Sequence, residues 1–331
     1  MLSLCFQFAA KIQKNVSKKA MLAGMRPAEK FLFVVVILFI LGLAFQFMGA
    51  FLAGWIYGFS ITDILSMQTF NDPTYVAASK LIQIVGSIGT FIIPAFLFSY
   101  LFEGDLFSYY GFRSRIGSVP VLLTILMMVS VIPFINYTAE LNMRMEIPIK
   151  ALDRILRALE AEAEEMMVAF TATKTIWGLL VNLFMIGVIA AVGEELIFRG
   201  LLQRLMIGMV KNVHLAIVIT AILFSAFHFQ FFSFLPRFVL GLVLGYLMFY
   251  GRSIWYPIVA HFVNNAMGVI YYYFSSRGSA DDMLEEIGTS TLIPVAAVIS
   301  LALFILFALL WYYQIGGSTT RSPLSGEIEK E

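Results

Sequence analysis

Three short polar clusters interrupt otherwise apolar stretches, and their residue types are those of proton-transfer chemistry. They read Gly193-Glu194-Glu195-Leu196-Ile197-Phe198-Arg199-Gly200, Phe224-Ser225-Ala226-Phe227-His228 and His261-Phe262-Val263-Asn264-Asn265. An acidic side chain at the centre of a membrane helix costs about 2.5–3.5 kcal/mol on insertion scales, so such residues signal function by default. Residues four apart share a helix face, so Glu195 pairs with Arg199, in the favourable order of acid before cation, and leaves Glu194 as the free carboxyl. His261 and Asn265 likewise point into one cavity, with Asn264 as an alternative to Asn265 that spacing alone does not decide. Phe224, one turn before His228, walls the same space. Peptide hydrolysis requires an activated water, a stabilised oxyanion and a proton for the leaving amine. In this reading Glu194 and His228 bind and deprotonate the water, His261 and Asn265 offer oxyanion donors, and the Glu195–Arg199 pair holds the turn. Zinc is the competing chemistry, because Glu194, His228 and His261 are a sufficient ligand set with an open water position. No His-Glu-x-x-His helix presents ligands from one element, and metal-free, glutamate-activated hydrolysis is preferred, with no cofactor required.

The elements that must position these groups follow from composition. Of 331 residues, 60% are hydrophobic, 32 are Phe and only 13% are charged, about half the charge density of a soluble domain. That excludes a disordered chain, a collagen and an ordinary water-soluble enzyme. The single Cys5 permits no internal disulfide. Apolar runs over residues 31–57, 81–102, 116–137, 175–193, 215–235, 238–250, 253–274 and 291–313 predict about eight transmembrane helices, the shorter 238–250 run completed by Phe234, Leu235 and an edge-lying Arg237. Backbone polar groups cannot be left open in hydrocarbon, so the predicted fold class is an all-α polytopic membrane helix bundle. If the fourth helix continues through Arg204 to Gly208, Glu194 lies about 21 Å from its cytoplasmic end, His228 about 22 Å from a helix start at Val213, and Asn265 and His261 about 18 Å and about 12 Å from Ser253. The four then share one level. Were the helix to stop at Phe198, the alignment would fail.

Three segments are expected: a basic N-terminal interfacial segment over 1–30, an eight-helix domain over 31–313 with the motif core at 175–274, and a disordered cytoplasmic tail over 314–331. Lys and Arg concentrate in the segments on one side of the predicted crossings, which places both termini in the cytoplasm of a cell whose inner or plasma membrane holds the chain. No cleaved signal peptide is expected, because no charged segment precedes the first apolar residues and Lys11 interrupts them. Residues 149–167 carry apolar side chains at three- and four-residue spacing with Asp153, Arg154, Glu160, Glu162, Glu164 and Glu165 between them, an amphipathic helix on the outer surface, read as an interfacial packing element with a lid or substrate-guiding role as the alternative. His214, near Lys211, is read as an interfacial histidine.

Taken together, Glu194-Glu195-x-x-x-Arg199, Phe224-x-x-x-His228 and His261-x-x-x-Asn265, in that order on separate helices, resemble the CAAX-processing and bacteriocin-processing family of intramembrane proteases, also called the Abi or type II CAAX prenyl protease family. The resemblance covers roughly residues 175–275. It implies an eight-helix architecture, Glu194 as the catalytic carboxylate aided by His228, His261 and Asn265 completing the site, and Glu195 and Arg199 in support. It also carries a metalloprotease label. The expected activity is an intramembrane endopeptidase acting on a membrane-anchored or hydrophobic peptide, with the bilayer and that peptide as partners and no nucleic acid. The alternatives are a proton-coupled transporter, against which the absence of an inverted repeat counts, and a non-catalytic bacteriocin-immunity protein, which would not need the whole polar set.

Overall fold

The computed structural model describes residues 20–60, 72–104, 106–114, 116–276 and 293–316. The expected basic N-terminal segment and C-terminal tail lie largely outside these, as does Cys5. Among the described residues there are ten long helices and no strand: α1 (Pro27–Tyr57), α2 (Pro73–Phe102), α3 (Ser118–Ser130), α4 (Ile132–Met143), α5 (Lys150–Thr171), α6 (Ile176–Val210), α7 (Val213–Ala226), α8 (Phe234–Gly251), α9 (Trp255–Ser275) and α10 (Ile293–Gly316).

Helix ends follow from local chemistry. Pro27 opens α1, where its missing N–H costs nothing, and the Glu29 carboxylate accepts from the Arg26 backbone N–H at 3.0 Å. Asp72 caps α2 through the Thr74 N–H, and Asn212 caps α7 through the Leu215 N–H at 3.0 Å. One face of α1, including Phe39, Phe47, Phe51 and Trp55, is exposed, which is stable only against lipid.

Five helices are long and apolar enough to cross a membrane: α1, α2, α6, α8 and the Val295–Gly316 part of α10. A sixth span arises if α3 and α4, bent by 41° at Val131, are one crossing. Pro133 supplies no N–H there, and Ser300 of α10 spans the bend, accepting from the Phe134 N–H at 3.2 Å and donating to the Ser130 carbonyl at 2.6 Å. This satisfies backbone groups that lipid would leave open. Against the expected count of about eight, these criteria give five among the described residues, or six with α3 and α4 as one crossing. The run 215–235 yields only α7, a 14-residue helix ending at Ala226. The run 253–274 forms α9, whose 21 residues suffice in length but whose apolar character is diluted by His261, Asn264 and Asn265.

At the centre stands α6. Its run to Val210 meets the condition on which the shared depth rested. Two wide π turns, Leu183–Ile189 and Leu196–Leu202, flank the α-helical Ala190–Glu195. Such turns expose carbonyls and re-aim side chains, and they recur at functional sites. Leu196–Leu202 is buried throughout. Two side chains stitch α6 to α8 in register: Arg199 Nη2 donates to the Gly241 carbonyl at 3.2 Å, and Gln203 Nε2 to the Gly245 carbonyl at 3.1 Å. Close approach accounts for glycine at two positions. A Cβ on Gly200 would stand 2.3 Å from the Tyr110 ring, and one on Gly241 would stand 3.0 Å from the Cα and Cβ of Ala221 on α7. Gly241→Ala is expected to push α7 from α8 and to lower stability by about 1–3 kcal/mol. A thermal midpoint in detergent equal to that of the wild type would contradict this.

Candidate active site

The order of burial within α6 sets the roles its carboxyls can take. Glu195 and Arg199 are both fully buried and pair, Oε1 to Nη1, at 2.6 Å. The Arg199 guanidinium also lies 4.4 Å from the centre of the Phe224 ring, a cation–π contact. Glu194, the next carboxyl on the helix, is partly exposed at 14%, and its Oε2 has no hydrogen-bond partner among the described residues.

From α9, His261 reaches both acids. Its Nδ1 lies 2.8 Å from Glu195 Oε1, and its Nε2 lies 3.9 Å from Glu194 Oε2. A carboxylate paired with arginine accepts, so Nδ1 carries the proton and Nε2 is left for chemistry. The sequence reading, which gave Glu195 to Arg199 alone, did not find this second role. Asn265 Nδ2 donates to the Ile186 carbonyl at 2.9 Å, on the first π turn of α6, and Asn264 Nδ2 donates to Asn265 Oδ1 at 3.2 Å.

His228 stands two residues beyond the end of α7, on a loop that includes the left-handed Phe229 (φ 54°). Its Nδ1 meets the Phe224 carbonyl at 2.9 Å. A carbonyl only accepts, so this nitrogen too is the protonated one, and Nε2 is the free one. The Phe224 ring lies between the imidazoles, 5.3 Å from His228 and 5.7 Å from His261. Glu194, His228, His261, Asn264, Asn265 and Phe224 all line one cavity of about 480 Å³, within the ordinary range of small-ligand sites.

Three contributors were not legible as such in the sequence. Glu160, counted on the polar face of the amphipathic helix, is turned inward and only 7% exposed. It accepts from the Phe232 N–H at 3.0 Å, Gln230 Nε2 at 3.2 Å and the Ser233 hydroxyl. Asn142 brackets the same loop, accepting from the Leu235 N–H at 2.6 Å and donating to the Phe231 carbonyl at 3.1 Å. These bonds allow a helix to end within the bundle, the physical reason the 215–235 run is broken. Arg237, read as edge-lying, lines the cavity. Its signal was a cation at the start of an apolar run. The rest of α5 also departs from a purely interfacial role, because Ala163, Met166, Met167 and Phe170 form a cavity wall. His214 meets the Tyr246 hydroxyl at 3.0 Å, between α7 and α8. Glu160→Ala is expected to free the 230–233 loop, raising hydrogen exchange at Phe232 by about tenfold or more, as loss of a charged hydrogen bond implies. Unchanged protection would refute the anchoring role.

Glu194, His228 and His261 do not converge as a metal-ligand set, and among the described residues no group of three or more His, Cys, Asp or Glu side chains stands together for an ion.

The fold defines the class: an all-α protein with several helices able to span a bilayer, built as a multi-pass membrane protein. Within it, residues 175–267 match the model of the Rce1-like type II CAAX prenyl endopeptidase family and are similar to it. No curated protein and no solved structure matches the chain.

Proposed function

We propose that this protein is an intramembrane endopeptidase in which Glu194 activates water against a peptide bond of a membrane-anchored or hydrophobic substrate. The observation that carries the reading is the 3.9 Å gap between Glu194 Oε2 and His261 Nε2, beside a cavity that His228 and both asparagines also line. A water hydrogen-bonded to both atoms at about 2.8 Å sits at the apex of a triangle on that base. Glu194 takes its proton as the oxygen attacks the carbonyl. His261, oriented by Glu195, takes that proton from Glu194 at Nε2 and, as imidazolium, delivers it to the leaving amine, the logic of an oriented general base. His228 Nε2, free on the same cavity wall, accepts an N–H of the substrate. The Asn265 amide, fixed on Ile186, stabilises the oxyanion, with Asn264 beside it. Met166 and Met167, flexible and polarizable, accept varied apolar side chains.

The family match supports a protease and the apolar helices support a membrane setting. The excess of basic residues on one side supports cytoplasmic termini. Reconstitution of the protein into liposomes with membrane-anchored peptides, followed by mass spectrometry, tests the reading: discrete internal cleavages support it. Intact peptides together with proton-driven solute uptake would replace it by transport.

A further inference from the structure

Arg237 stands in the first turn of α8 and lines the cavity with Glu194, His228 and His261. Its Nη2 donates to Gln230 Oε1 at 2.5 Å, whereas its Nη1 is buried with no hydrogen-bond partner. The carboxylate that ties down the Gln230 loop, Glu160, spends its acceptors on Gln230 Nε2, the Phe232 N–H and the Ser233 hydroxyl. The chain Glu160–Gln230–Arg237 therefore aims a guanidinium and leaves part of its fork open. A buried charged donor without a partner is costly to keep, and a cation at membrane depth marks a ligand path by default.

We infer that Arg237 binds a carboxylate of the substrate in this cavity and thereby sets which peptides are cut. The planar fork matches a carboxylate better than any other peptide group. Glu194 in the same cavity repels an anion placed beside it, so a carboxylate seated at Arg237 fixes substrate polarity, with the acidic end toward α8 and the bond to be broken toward α6. Arg237 would thus be a specificity-determining residue. This rests on the protease reading above.

A carboxylate comes from either a free peptide C-terminus or an acidic side chain, and three peptide sets separate the two. N-palmitoylated peptides of randomised apolar sequence are prepared as free acids, as C-terminal amides, and as amides with one internal Glu, and each set is incubated with the protein in liposomes. The wild type is expected to cut one carboxylate-bearing set about tenfold or more faster than the neutral amides, and the set preferred identifies the source. In Arg237→Gln that ratio falls to near one, and Arg237→Lys, which keeps the charge but not the fork, retains part of it. Equal cleavage of all sets by the wild type overturns the inference, as does a ratio left intact in Arg237→Gln. Both results leave the protease reading standing. No cleavage of any set removes that reading, and the inference with it.

Discussion

Glu194→Gln is expected to lower the rate of peptide cleavage in reconstituted membranes by about 10²–10⁴-fold, the contribution of a positioned general base. It should do so without unfolding the protein. Gln preserves shape and volume, and Glu194 Oε2 makes no hydrogen bond among the described residues that the substitution would remove. Burial of a carboxylate in apolar surroundings is itself unfavourable, so the thermal midpoint should be unchanged or slightly raised. KM should move little, because the loss falls on the chemical step. The measurement is a paired one, cleavage rate and melting midpoint on the same preparation. Undiminished cleavage would show that Glu194 is not the base, and a collapse in midpoint would make it a structural residue instead.

Arg199→Met should do the reverse, striking the fold first. The guanidinium is fully buried, paired with Glu195 at 2.6 Å, hydrogen-bonded to the Gly241 carbonyl at 3.2 Å and stacked on Phe224. Removal leaves the Glu195 carboxylate buried against His261 alone. Breaking one partner of a buried pair costs about 3–5 kcal/mol, a large part of the stability of any domain. Replacing both partners, Glu195→Gln with Arg199→Met, should cost less than the sum of the two single changes, because no orphaned charge remains. Chemical denaturation of the three variants in detergent gives the coupling. Additive losses would mean that the pair carries no energy of its own. Activity should fall in all three, since His261 Nδ1 is held by Glu195 Oε1.

Glycines of α6 and α8 set how closely their neighbours pack around that arrangement. Gly241 and Gly245 let α8 lie close against α7, where a Cβ would meet Ala221 and Ile217, Gly245 also leaves room for the Gln203 side chain, and Tyr110 packs where Gly200 has no side chain. Because Arg199 donates to the Gly241 carbonyl, a displacement of α8 at Gly241 is passed to His261 through Arg199 and Glu195.

From the sequence alone came the all-α membrane class, the approximate places of several helices, the Glu195–Arg199 pairing and five of the polar residues in the cavity, Glu194, His228, His261, Asn264 and Asn265. Each depends on composition, on periodicity or on neighbours within four residues along one helix, and those relations survive any tertiary arrangement. What spacing left open, and only the folded chain decided, lies between helices. His261 divides itself between Glu195 and Glu194, Asn265 is fixed by a carbonyl that a π turn exposes, and Glu160 turns inward from a helix whose pattern put it outside. The 215–235 run breaks at Ala226 because Glu160 and Asn142, distant in the chain, satisfy the loop that follows. Apolar content reads as a continuous span, whereas the end of a helix within the bundle depends on which polar partner another helix brings to its freed backbone groups.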